Sequence, residues 1–89
     1  NMENLGIKVK NIDHFIDILE NSEDGAKEFY ILFDGGVRSS KFISYDGEIF
    51  YIINLIDSSE EELTLKELLD PKISNIGLAL EKGILYAYN

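Results

Sequence analysis

Near the start of the chain, Leu5, Ile7 and Val9 alternate with Gly6, Lys8 and Lys10. That period of two predicts a short, half-buried strand. The period then changes. Ile12, Phe15, Ile16 and Leu19 stand at i, i+3, i+4 and i+7, one face of a helix, and Asn11 before them offers a side-chain cap. Asp13, His14, Asp17 and Glu20 fill the rest of its circumference. The helix should end in Asn21-Ser22-Glu23-Asp24-Gly25, which has no apolar residue and closes on a glycine able to reverse the chain.

A β-meander is predicted next. Glu28 to Asp34 is rich in aromatic and β-branched residues, as is Arg38 to Tyr45, and Asp34-Gly35-Gly36 between them suits a tight hairpin turn. Asp46-Gly47 is a strong signal for a type I′ turn into a third strand, Glu48 to Ile56. The unbroken apolar run Ile49 to Ile53 predicts a central place in the sheet for that strand, with both faces largely covered. Asp57-Ser58-Ser59 closes the meander, and Glu60-Glu61-Glu62 reads as an acidic run outside the regular elements.

Thr64-Leu65-Lys66-Glu67 matches the capping box, in which threonine and glutamate satisfy each other's free backbone N–H groups. Asp70-Pro71 keeps that helix short. Ser74 caps a second helix with Ile76, Ala79 and Leu80 inward, Gly83 ends it in the left-handed conformation, and Ile84 to Tyr88 reads as the last strand. The predicted order is β-α-β-β-β-α-α-β. The fold class is α+β: a three- to four-stranded antiparallel sheet, meander plus C-terminal strand, with helices on one face, in a single domain over residues 1–89.

Composition narrows the chemistry. With 89 residues, 45% hydrophobic and 28% charged, the chain lies in the range of one small globular domain. It has no cysteine, which excludes disulfides, thiolate metal sites and cysteine nucleophiles and favours a cytoplasmic home. No apolar run approaches the ~20 residues of a membrane span. Methionine at position 2, behind Asn1, reads as an initiator preceded by a cloning remnant. Seventeen acids against eight bases give a net charge of −9, which argues against direct contact with nucleic acid. The acidity serves either solubility or an acidic face that meets a basic partner, including by mimicry of nucleic acid.

The local candidate for a site is Gly35-Gly36-Val37-Arg38-Ser39-Ser40-Lys41, which holds the sole arginine, with Tyr45 nearby. Backbone N–H groups around a glycine pair form anion-binding concavities, and Arg38, Lys41 and the serines would add donors. The segment lacks phosphate-loop spacing and leads into a strand, where Arg38, Ser40 and Phe42 point one way and Ser39, Lys41 and Ile43 the other. The other reading is simply a hairpin turn followed by a polar strand face.

His14, the sole histidine, has Asp17 at i+3 and no further ligands nearby, so it reads as a surface residue. Asp57, Glu60, Glu61 and Glu62 do not follow calcium-loop spacing and read as solvated surface or, with the acidic side of the first helix, as the face of a decoy. No catalytic residue, metal or cofactor is expected. Tyr30, Tyr45, Tyr51, Tyr86 and Tyr88 all fall in predicted strands. Helices on one face leave some of these aromatics for the other, where they would serve a homodimer or a dedicated protein partner.

The ordered string Gly35-Gly36-x-Arg38-Ser39-Ser40-Lys41, Tyr45-Asp46-Gly47, Ile56-Asp57, Leu63-Thr64 and Ser74-Asn75-Ile76-Gly77 resembles short hypothetical proteins of prophages and conjugative elements of Gram-positive bacteria. The resemblance covers roughly residues 28 to 85. It implies an accessory gene of a mobile element, a setting of host-defence inhibitors and small regulators, and carries no activity. The leading expectation is a non-catalytic cytoplasmic interaction protein that uses the Arg38 to Lys41 strand and its tyrosines. Behind it come an acidic decoy of the anti-restriction or anti-CRISPR kind, and an anion-binding module at Gly35 to Lys41.

Overall fold

The structure, a computed structural model, describes residues 6–89. In chain order its elements are β1 (Gly6–Lys8), α1 (Ile12–Glu20), β2 (Ala26–Leu32), β3 (Arg38–Tyr45), β4 (Phe50–Asn54), β5 (Glu60–Leu63), α2 (Leu65–Leu69), α3 (Asn75–Lys82) and β6 (Leu85–Tyr88). The strands form one antiparallel sheet in the order β1-β6-β2-β3-β4-β5. The class is α+β as expected, but the sheet has six strands where three to four were predicted. Leu5, expected in the first strand, and Asn1-Met2 lie outside the described residues.

The locally encoded features match their expectations. Asn11 accepts the His14 N–H at 2.9 Å and caps α1. Thr64 and Glu67 form the capping box, with Thr64 N–H donating to Glu67 Oε1 at 2.9 Å and Glu67 N–H donating to Thr64 Oγ1 at 3.2 Å. Ser74 caps α3 by accepting the Gly77 N–H, and Gly83 closes that helix in the left-handed region.

Three expectations need correction, each for a non-local reason. The acidic run is a strand: Glu60 to Leu63 pair with Ile53 to Phe50 as β5, the outer edge of the sheet. Glutamate is a poor strand former, so nothing local signals the pairing, yet charge is how natural sheets protect an exposed edge. Secondly, β4 is not central. It lies between β3 and the edge strand, and of its apolar run only Phe50 and Ile52 face the core while Tyr51 remains 39% exposed. The unbroken run therefore reflects an apolar open face, not a second cover. Thirdly, residues 46–49 form a four-residue connection in which Gly47 alone has positive φ (97°), whereas a type I′ turn needs two such residues in succession. Asp46 holds this loop by accepting the N–H groups of Glu48 and Ile49 at 2.9 and 2.7 Å.

The helices share one face. Phe15 and Leu19 of α1, Leu68 of α2, and Ile76 and Ala79 of α3 join Phe29, Ile31, Ile43, Phe50, Ile52, Leu63, Leu85 and Ala87 in one core. Phe15 sits at its centre, with its ring 4.9 Å from that of Phe29 and 5.9 Å from that of Phe50. Truncating so central an aromatic would cost about 3–5 kcal/mol. Alternate residues of the same strands project to the opposite face, which no helix among the described residues covers. Among the described residues no helix is long and apolar enough to cross a membrane.

Candidate functional site

Strand register determines which side chains meet on the open face. Tyr30 of β2 lies opposite Tyr86 of β6 and Ser40 of β3. The Tyr30 and Tyr86 rings stack at 5.2 Å with planes 9° apart, Tyr88 tilts against Tyr30 at 4.6 Å, and the Arg38 guanidinium lies 4.6 Å above the Tyr30 ring. The hydroxyls of Ser40 and Tyr88 share a hydrogen bond of 3.1 Å. These neighbours reduce Tyr30 to 4% exposure on a face without helical cover. Gly6 of β1 is part of the arrangement: a Cβ there would lie 2.5 Å from the Tyr30 hydroxyl, so a larger residue would have to displace the stacked Tyr30 ring.

The β3–β5 half of the face is more exposed. Phe42 pairs with Ile53 and Ser44 with Tyr51, and both Phe42 and Tyr51 are 39% exposed. Tyr51 donates its hydroxyl hydrogen to Asp46 Oδ2 at 3.1 Å, which fixes the ring. Three hydrogen bonds, from the Ile49 and Glu48 N–H groups and then Tyr51, hold the Asp46 carboxyl below its ordinary value. The reciprocal bond to Asp46, with the charges of Asp46, Glu62 and Glu48, raises the Tyr51 hydroxyl.

The structure divides the candidate residues. Arg38 and Ser40 are on the open face; Ser39, Lys41 and Tyr45 are on the helix-covered one. Lys41 is buried beside a polar cavity of about 150 Å³ that Asn54, Ser59, Glu61 and Asn75 also line. Tyr45 stacks on Phe50 at 4.2 Å and donates to the Gly47 carbonyl. Gly35 and Gly36 sit in the β2–β3 turn, both with φ of 80°, and the Gly36 N–H is committed to the Phe33 carbonyl.

The four acids are divided as well. Glu60 and Glu62 share the open face with Ile53 and Tyr51, whereas Glu61 lies opposite Ile52 on the helix side. Asp57 accepts the Ser59 hydroxyl and N–H; these bonds, and more weakly the Lys41 charge, lower its carboxyl. His14 uses Nδ1 to accept the Lys10 N–H, and Asp17 accepts the Asn21 amide, so each serves its own end of the helix. Among the described residues no group of three histidine or carboxylate side chains could hold a metal ion. Sequence reasoning missed the parts played by Phe42, Ile53 and Gly6. Only the strand pairing identifies them.

Protein-family models, curated proteins and solved structures contain no match to this chain.

Proposed function

We propose that this chain is a non-catalytic protein–protein interaction module that works through the open face of its sheet. One observation supports this above all: Phe42 and Tyr51 stay exposed on a face that no helix among the described residues covers, continuous with the stacked Tyr30, Tyr86 and Tyr88. Aromatics with rigid, amphipathic side chains are the usual anchors of protein interfaces. Arg38, already spread over Tyr30, suits the same role. The resemblance to mobile-element proteins fits a small accessory factor acting on a bacterial protein inside the cell. A nucleic-acid mimic has less support, because Glu61 is turned away from Glu60 and Glu62.

The test is affinity capture from a Gram-positive bacterial lysate with the wild-type chain and with Phe42→Glu, followed by mass spectrometry. A protein retained by the wild type and lost by the variant is the expected result. Identical capture profiles would refute the reading.

A further inference from the structure

We infer that the β3–β5 half of the open face seats a cationic, extended protein segment, with its lysine or arginine side chains lying over Phe42 and Tyr51. This rests on the open-face reading above and narrows it to one area and one kind of partner.

Paired residues across the sheet form two adjacent rows on this face: Glu28–Phe42–Ile53–Glu60, and Ala26–Ser44–Tyr51–Glu62. Each row is apolar or small in the middle and acidic at the β5 end; the first is acidic at both ends. Two hollows lie along them. One, of about 270 Å³, has Phe42, Ser44, Tyr51, Ile53, Glu60 and Glu62 in its lining, together with Ile52 and Glu61 from the helix-side register. The other, of about 530 Å³, shares Phe42 and Ser44 and reaches Glu23 and Asp24. Together they make one trough running across the strands, with carboxylates at both ends and no lysine, arginine or histidine in the lining.

Charge complementarity selects the occupant. A basic side chain can lay its methylene stem on the aromatic floor, place its cation against the ring faces, and reach a carboxylate at either end. The dimensions select its form. From β2 to β5 the trough crosses three strand spacings, about 14 Å, the reach of about four extended residues. A second copy of this chain is a poorer occupant. It brings another net charge of −9, and its Arg38 is already stacked on Tyr30. Tyr51, held by Asp46, needs no ordering on binding.

The experiment titrates the full chain against two fluorescent ten-residue probes, one alternating lysine with valine and one alternating glutamate with valine, at low and high salt, while sedimentation reports the oligomeric state. We expect the lysine probe alone to bind, and high salt to weaken it. Glu60→Gln with Glu62→Gln should lower its affinity at least tenfold, and so should Phe42→Ser, which leaves the charge intact. Asp13→Asn with Glu20→Gln removes the same charge from α1 and should change affinity less than twofold. Equal loss in the two double variants would reduce the binding to net-charge attraction and overturn the inference. So would a monomer that ignores both probes. A chain that ignores the lysine probe but forms a dimer broken by Phe42→Ser would overturn the cationic partner while sparing the open-face reading. Thermal unfolding of each variant confirms that the fold is intact.

Discussion

Arg38 and Lys41 stand three residues apart on β3 and lie on opposite faces of the sheet. Arg38 spreads its guanidinium over the Tyr30 ring at 4.6 Å, while Lys41 is 5% exposed beneath the helix layer. Two residues that read as one basic cluster in the sequence cannot meet the same surface of a partner.

Their substitutions should therefore behave differently. Arg38→Ala removes the cation over Tyr30 and opens that ring to solvent, which should change partner capture at the open face, for a stability cost of about 1 kcal/mol. Lys41→Met should leave capture unchanged. Because a buried charge is costly to desolvate and methionine has a similar shape, the variant should remain within about 1 kcal/mol of the wild type. Lys41→Glu would add a charge close to Asp57 and Glu61 and should destabilise by about 3 kcal/mol or more. Urea unfolding of the three variants, with capture measured in parallel, checks the set.

Gly77 yields a prediction opposite to the usual rule. Alanine replacing glycine inside a helix ordinarily gains about 1 kcal/mol. Here a Cβ would lie 2.5 Å from the Leu68 carbonyl oxygen and 2.9 Å from the Leu69 carbonyl carbon. Those are backbone atoms at the end of α2, and they cannot turn aside as a side chain would. Gly77→Ala should therefore force α2 and α3 apart and destabilise by about 1–3 kcal/mol. A rise in the urea midpoint would show that the two helices can slide without loss.

What could be read from the sequence divides along the same line. Caps and turns were legible at Asn11, Thr64, Ser74 and Gly83 because each depends on groups within four residues of itself. The pairing of Glu60 to Leu63 with β4 was not, since its partners lie seven or more positions back and glutamates give no strand signal of their own. The alternation that separates Arg38 from Lys41 was legible, but which side the helices would take was not. The acid-ended rows follow only when strand register is known, because Glu28, Phe42, Ile53 and Glu60 come from four strands.

The capping box offers a local test. Thr64 Oγ1 accepts the Glu67 N–H at the start of α2, which is five residues long and is held besides by the buried Leu68. Thr64→Ala should cost about 1 kcal/mol, and Thr64→Ser much less because serine keeps the acceptor. Glu67 accepts first from the Thr64 N–H and then from its hydroxyl, which lowers its carboxyl below 4.5. Its contribution is thus present above the ordinary carboxylate value and disappears as pH falls through the lowered one. The difference between wild type and Glu67→Gln in urea midpoint should shrink as the solution is acidified over that range.

Asp46 and Tyr51 make the loop between β3 and β4 sensitive to pH from both ends. The Asp46 carboxyl is held below 3.8, chiefly by the Ile49 and Glu48 N–H groups. A group lowered on folding stabilises above its unfolded value, and the gain is lost as pH falls through the folded one. Tyr51 is raised above 10.0, chiefly by donating to Asp46. A group raised on folding stabilises below its unfolded value, and that gain is lost as pH rises through the folded one. Stability from this pair therefore forms a plateau bounded by acid and strong alkali. Asp46→Asn keeps an oxygen acceptor at the turn but removes the charge that favours the protonated phenol. In an ultraviolet titration of tyrosinate, the step that Tyr51→Phe removes should move to lower pH in Asp46→Asn, while Glu20→Gln on α1 leaves it in place. A Tyr51 step that stays in place in Asp46→Asn would mean that Tyr51 is not held by Asp46 in solution, and the trough would then lack its fixed aromatic.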